Sequence, residues 1–255
     1  MRIKITISYD GTGFCGWQRQ PNGKSIQEEL ENAYFKFANE KVVITGSGRT
    51  DEGVHALAQV AHFDTKKVVS KKEIAVWLGA FNFHLPNGIR VKNIEIAADN
   101  FHSVASATKK TYHYDMYFGV ENPLLKDRTY HIKKDLDIAL TEKAAKCFIG
   151  THDFVNFRAI GSGATTTVRT VYSCELSQME LYGSKALRFT ISANGFLYKM
   201  VRIIAGSILQ VGSGKLEISE IKELLTGQNN NKNEITKFNK IPAPSCGLYL
   251  ESVKY

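Results

Sequence analysis

No stretch of this 255-residue sequence stays apolar long enough to cross a bilayer as a helix. Nor does it open with charged residues leading into a short apolar run, so it predicts neither a membrane span nor a signal peptide. Cysteine is scarce, and Cys15, Cys147, Cys174 and Cys246 stand singly. With no Cys-x-x-Cys spacing there is no sulfur pair for a metal or redox site, and the thiols are expected to stay reduced, in the cytoplasm. The histidines do not fill that gap. His55 and His62 are separated by a strand turn and have no carboxylate cluster beside them, so no metal site is expected. Acidic residues are also in deficit, 25 against 33 Lys and Arg, for a net charge of +8. That excess points to a polyanionic partner, although a merely basic protein would carry the same number.

What is present describes a globular protein: 43% hydrophobic and 23% charged residues. The length suffices for one large domain or two of ordinary size. Ile3, Ile5, Ile7 and Tyr9 alternate with polar residues, which predicts a strand with one buried face. After a glycine-rich loop, Ser25-x-x-Glu28 reads as a capping box ahead of a helical stripe of Ile26, Leu30, Ala33, Tyr34 and Phe37. Val42 to Ile44 predicts a short strand, and Val60 to Phe63 another. A second box, Ser70-x-x-Glu73, opens a helix buried through Ile74, Trp77, Leu78 and Phe81. The stretch from Ile89 to Ile96 reads as a strand that closes this half.

Beyond a weakly marked junction the scheme recurs. Tyr112, Tyr114, Met116 and Phe118 alternate along a strand. A helix from about Asp137 carries Leu140, Ala144 and Phe148 and stops at Gly150. Strands are expected around Val168 to Leu176 and Ala186 to Ala193. A helix with Leu197, Val201, Ile204 and Leu209 ends near Gly212, and a short one runs from Ser219 to Thr226. The asparagine-rich stretch from Gln228 to Lys237 reads as an exposed loop, and Leu248 to Val253 as a final strand. The expectation is two α+β halves, residues 1–104 and 105–255.

The candidate chemistry centres on Gly46-Ser47-Gly48-Arg49-Thr50-Asp51-Glu52-Gly53-Val54-His55. Glycines let a backbone bend tightly and approach a ligand, and an arginine two residues away can keep the aspartate ionised and aimed. The same residues also fit a plain turn in which the aspartate bonds its own backbone.

The wider sequence favours the first reading. Gly48-Arg49-Thr50-Asp51-x-Gly53-Val54-His55-Ala56 resembles the signature of the TruA family of pseudouridine synthases. Similar to family motifs are Tyr9-Asp10-Gly11-Thr12-Gly13-Phe14-Cys15-Gly16-Trp17-Gln18-Arg19-Gln20 upstream and Leu85-Pro86, Phe101-His102 and Lys110-Thr111-Tyr112-His113-Tyr114 downstream. Further on stand Gly150-Thr151-His152-Asp153-Phe154, Val168-Arg169-Thr170-Val171, Phe196-Leu197-Tyr198-Lys199-Met200-Val201-Arg202, Ala243-Pro244 and Gly247-Leu248. The resemblance implies the pseudouridine synthase fold: two ferredoxin-like α+β halves with joined antiparallel sheets and a catalytic cleft. It also implies isomerisation of uridine in the anticodon stem and loop of tRNA, at positions 38–40, by a cytoplasmic homodimer.

That reaction breaks N1–C1′, turns the uracil and rejoins it through C5. Nothing is oxidised or transferred, so no cofactor or metal is called for. By place in the motif, Asp51 matches the catalytic aspartate, acting on C1′ as nucleophile or as a base. Tyr112 matches the tyrosine against the uracil, Arg202 the arginine that pairs with the aspartate, and Leu248 the floor of the uracil pocket. Arg49 would hold the flipped nucleotide, flipping being needed to reach a stacked base. Lys109, Lys110, Arg158, Arg169 and Lys199 are candidates for phosphate contacts. Taken alone, Tyr112 and Leu248 are ordinary strand residues, and Arg202 is a helix arginine covering Val201 and Ile203.

One departure stands out. Phe101-His102-Ser103-Val104 lacks the arginine usual in the family, a change able to shift the substrate rather than abolish the chemistry. Besides a tRNA enzyme, the sequence therefore leaves open a paralogue acting on another RNA and a non-catalytic RNA-binding protein on the same scaffold.

Overall fold

The computed structural model describes residues 1–21, 23–161, 164–227 and 240–255; the stretch expected as an exposed loop from Gln228 to Lys237 lies outside them. In chain order the elements are β1 (Arg2–Tyr9), α1 (Ile26–Ala38), β2 (Thr45–Gly46), β3 (His55–Asp64), α2 (Lys71–His84) and β4 (Ile89–Ile96). There follow β5 (Lys109–Phe118), β6 (Tyr130–Ile132), α3 (Ile138–Lys146), β7 (Gly150–Asp153), β8 (Val168–Leu181) and β9 (Ser184–Ala193). The last are α4 (Met200–Gly212), α5 (Ile218–Leu225) and β10 (Leu248–Lys254). They fall into two compact units, Met1–Thr108 with Tyr249–Tyr255, and Lys109–Leu248. No helix among the described residues is long and apolar enough to cross a membrane.

In the first unit β1 lies between β4 and β3, antiparallel to both, with β2 antiparallel beside β3. This is the β-α-β-β-α-β arrangement of a ferredoxin-like half. The end of the chain adds a strand, pairing Tyr249 with His55 and Leu250 with Ala56 in parallel. Alternation on β1 does what the pattern predicts: Ile3, Ile5, Ile7 and Tyr9 are all buried. Phe63 of β3 sits opposite Ile3 and so shares their face. Against it pack Tyr34 of α1, with ring centroids 4.9 Å apart, and Phe81 of α2, at 6.4 Å. The helices thus cover the apolar face of the sheet.

Two local expectations fail for identifiable reasons. The backbone from Val42 to Ile44 is not a strand, because the Ile44 amide donates to the Glu31 carboxylate of α1 at 3.0 Å. The strand comes one step later, at Thr45–Gly46. Ser25 caps α1 by accepting from the Glu28 amide, but the reciprocal half of the box is missing. The Glu28 carboxylate is turned instead to Arg19, 3.3 Å away. The box at Ser70 and Glu73 is complete.

The second unit orders its strands β5-β9-β8-β7, all antiparallel, with β6 parallel to β5. Strands β8 and β9 run longer than the pattern suggests. They turn through Tyr182 and Gly183, both at positive φ (47° and 77°), which matches the twist of a tight hairpin. β5 departs from a one-faced strand, because every residue from Tyr112 to Tyr117 is buried. Its second face is covered too. There Asp115 takes a two-pronged bond from Arg188, at 2.7 and 2.8 Å, and Tyr117 packs on Leu125 and Ala186. α4 starts later than expected, at Met200, because Lys199 sits in the left-handed region (φ 57°) and leaves Leu197 outside the helix. α3 likewise ends at Lys146, before the buried Phe148.

Candidate active site

The residues singled out from the sequence divide between the units: Arg49 and Asp51 in the first, Tyr112, Arg202 and Leu248 in the second. Asp51 is half-buried on the connection from β2 to β3. Its own carbonyl accepts from the Val54 amide at 3.2 Å, so the loop turns sharply just past it through Gly53. On the upstream side, Thr50 is buried with two partners. Its hydroxyl bonds the Tyr9 hydroxyl at 2.8 Å, and its carbonyl accepts from the Trp17 amide at 3.0 Å. Gln59 of β3 reaches back to the loop, taking a bond from the Ser47 hydroxyl at 2.7 Å and donating to the Gly48 carbonyl at 2.8 Å.

The glycine-rich segment after β1 serves this loop. Gly16 sits at φ +99°, and a Cβ there would lie 2.5 Å from the Thr50 carbonyl oxygen and 3.0 Å from the Asp51 carbonyl carbon. Only glycine lets the two backbones meet this closely. Gly11 similarly abuts the Val54 carbonyl, and its amide donates to Nδ1 of His55 at 3.1 Å. His55 is buried and stacks on Tyr249 with centroids 4.6 Å apart. Arg49 is exposed. Thr50 beside it is turned into the core, while the Arg49 charge faces solvent, where a phosphate can reach it.

In the second unit, Tyr112 is buried on β5 opposite Ile191, edge-on to Phe196 at 5.2 Å. Two residues along the same face, the Tyr114 hydroxyl donates to the Pro244 carbonyl at 2.8 Å. Burial holds that hydroxyl far above the usual tyrosine range, so it remains a donor. Arg202, in the first turn of α4, donates from Nε to the Ala243 carbonyl at 2.8 Å, and the Ala243 amide returns a bond to the Arg202 carbonyl at 2.9 Å. Gly247 packs flat on β5, where a Cβ would come within 2.7 Å of the Asp115 carbonyl oxygen. The segment leading to the buried Leu248 is thus fastened at residues 243, 244 and 247. Arg202 is more than a helix arginine covering its neighbours.

Among the basic residues, Lys109 lies 5.9 Å over the Tyr172 ring and Lys199 5.2 Å over Tyr198. Arg169 is tethered to the Thr166 and Val168 carbonyls at 2.9 and 2.7 Å. Burial lowers the Lys110 amine to about 8. Val104 is exposed on a turn whose neighbour Ser103 is buried, its hydroxyl bonded to the Thr45 carbonyl at 2.8 Å. The departure from the family pattern therefore sits beside the strand that enters the Asp51 loop. Among the described residues no group of three or more His, Cys, Asp or Glu could hold a metal ion.

A sequence profile for tRNA pseudouridine synthase matches residues 5–104 and 144–255. The chain is 40% identical over 255 residues to tRNA pseudouridine synthase A of Ruminiclostridium cellulolyticum, covering 100% of this chain and 99% of the relative. It is 41% identical to tRNA pseudouridine synthase A 2 of Clostridium perfringens, covering 99% of each. The Bacillus subtilis tRNA pseudouridine synthase A is 40% identical, covering 100% of this chain and 99% of its own. The chain belongs to the tRNA pseudouridine synthase family. The Asp51 loop falls within the residues that the profile matches. Tyr9 and Trp17 stand in a motif similar to the family's and Gln59 in none, but the part all three play in holding the loop was not legible in the sequence. The closeness of Tyr9 and Trp17 to the glycines, and a glutamine set between Ala58 and Val60, hinted at it.

Proposed function

We propose that this chain isomerises uridine to pseudouridine in tRNA, at positions 38–40 of the anticodon stem and loop. Asp51 is the catalytic carboxylate, and Tyr112, Arg49, Arg202 and Leu248 bind the flipped nucleotide. One observation carries the reading: a half-buried carboxylate stands on a loop fixed on both flanks, in a chain matching pseudouridine synthases along its whole length. The reaction is balanced within the substrate. The N1–C1′ bond breaks, the C5–C1′ bond forms, the C5 proton is lost and N1 gains one. No cofactor or metal enters. Asp51 supplies negative charge to C1′ or to the base, and the Tyr112 ring lies against the uracil with its hydroxyl in reach of a proton.

The net charge of +8 supports a polyanionic substrate held largely through its phosphates. We place the protein in the cytoplasm and read it as a homodimer, since symmetric pairs are the commonest oligomers. Purified protein added to unmodified tRNA transcripts, with pseudouridine mapped afterwards, tests the activity. Modification at 38–40 is expected, and transcripts left unmodified would refute it. Light scattering gives the mass, and a fully active monomer would remove the dimer. The exposed Val104 favours one second reading, the same chemistry on a different RNA.

A further inference from the structure

Four polar side chains that take no part in bond-making lie buried behind the Asp51 loop. Tyr9, Ser47, Thr50 and Gln59 are 4%, 0%, 7% and 0% exposed. Burying polar atoms is unfavourable unless each is hydrogen-bonded, and an apolar cluster would hold two strands together at less cost. What these side chains do instead is fix backbone. Gln59 spans the loop from the Ser47 hydroxyl to the Gly48 carbonyl. Tyr9 fixes the hydroxyl of the residue immediately before Asp51. The register of the sheet makes this possible. Gln59 pairs with Ile7, and Tyr9 lies two residues farther along β1, so both side chains leave the same face. A shift of one residue in β3 separates the Ile7–Gln59 pair from Tyr9–Ala56 and brings the loop over that face.

We propose that Tyr9 and Gln59 are positioning residues for Asp51, setting the backbone from Gly48 to Asp51 so that the carboxylate meets the reacting nucleotide in a single orientation. This rests on the reading of Asp51 as the catalytic group. Misplacing a reacting group by an ångström costs on the order of a hundredfold in rate, so a loop of glycines and small polar residues needs such a frame. Burial pushes the Tyr9 hydroxyl up to about 12, so it stays protonated and the frame does not titrate at working pH.

The test is steady-state kinetics on an unmodified tRNA transcript, with thermal melting to identify folded variants. Tyr9→Phe and Thr50→Val are each expected to lower kcat by about tenfold or more, with KM within roughly threefold. The loss should be the same at every pH from about 6 to 9, because no group in the frame titrates there. The double variant should be little worse than either single one, as for two partners in one bond. Thr50→Ser, which returns the hydroxyl, should recover kcat. Should Tyr9→Phe not fold, Thr50→Val against Thr50→Ser decides alone. A lower melting temperature with unchanged kcat, or a loss confined to KM, would reduce these residues to packing and overturn the proposal. If Asp51→Asn is dead while both single variants keep full kcat, only the positioning role falls. If Asp51→Asn stays active, the reading beneath it falls as well.

Discussion

In the first unit, the loop bearing Asp51 is gripped by side chains that are themselves buried, from Tyr9 on one strand and Gln59 on another. In the second, the segment ending at Leu248 is gripped through its backbone carbonyls by Arg202 and Tyr114. The first arrangement fixes the loop at several points with little freedom left. The second holds its segment by the carbonyls of Ala243 and Pro244, with glycine at 247 pressed flat on a strand. A group that must meet a reacting atom needs the first kind of support. A floor on which a base rests needs only shape, and the second kind suffices.

This contrast predicts that the two regions fail differently. Asp51→Asn keeps size and loop geometry but removes the charge, so turnover should fall to background while tRNA affinity stays within a few-fold. A filter-binding curve beside a pseudouridine assay checks both halves, and near-normal turnover would remove Asp51 from catalysis. Tyr112→Phe keeps the ring and its edge-on contact with Phe196 but loses the hydroxyl. Turnover should drop by about a hundredfold or more, the scale of acid–base groups, with affinity little changed. Unchanged turnover would make the hydroxyl structural.

Effects in the carbonyl-held region should be smaller and fall on binding. Arg202→Lys has no Nε to give to Ala243, and a charged hydrogen bond is worth about 1.5–3 kcal/mol. KM should therefore rise about tenfold or more, with kcat affected less, and the reverse split would blur the contrast. Tyr114→Phe leaves the Pro244 carbonyl without its donor, at a cost of about 1 kcal/mol. The melting temperature should fall by about 2–4 °C with activity nearly intact. A large activity loss there would mean that the segment needs the same rigidity as the loop.

Much of this was legible in the sequence. Alternation from Ile3 to Tyr9 and the box at Ser70 and Glu73 depend on neighbours along the chain, and both appear where expected. The strand expected at Val42 to Ile44 failed because its fate was set by Glu31, on a helix. The same holds for the site. The Asp51, Tyr112 and Arg202 motifs were readable as motifs, but what holds them was not. Tyr9 and Thr50 are 41 residues apart, and so are Arg202 and Ala243. No periodicity or spacing announces a hydrogen bond over that distance. Asp115 shows the same limit, since its partner Arg188 lies 73 residues away on β9.

Modification of tRNA through Asp51 is the activity proposed for this chain. Mapping pseudouridine across all cellular RNA tests it directly, in a strain with the gene, without it, and with only the Asp51→Asn form. Loss of pseudouridine at tRNA positions 38–40 in both mutant strains, with other RNA unchanged, is the predicted result. Intact modification at those positions, or loss confined to a different RNA, would contradict it.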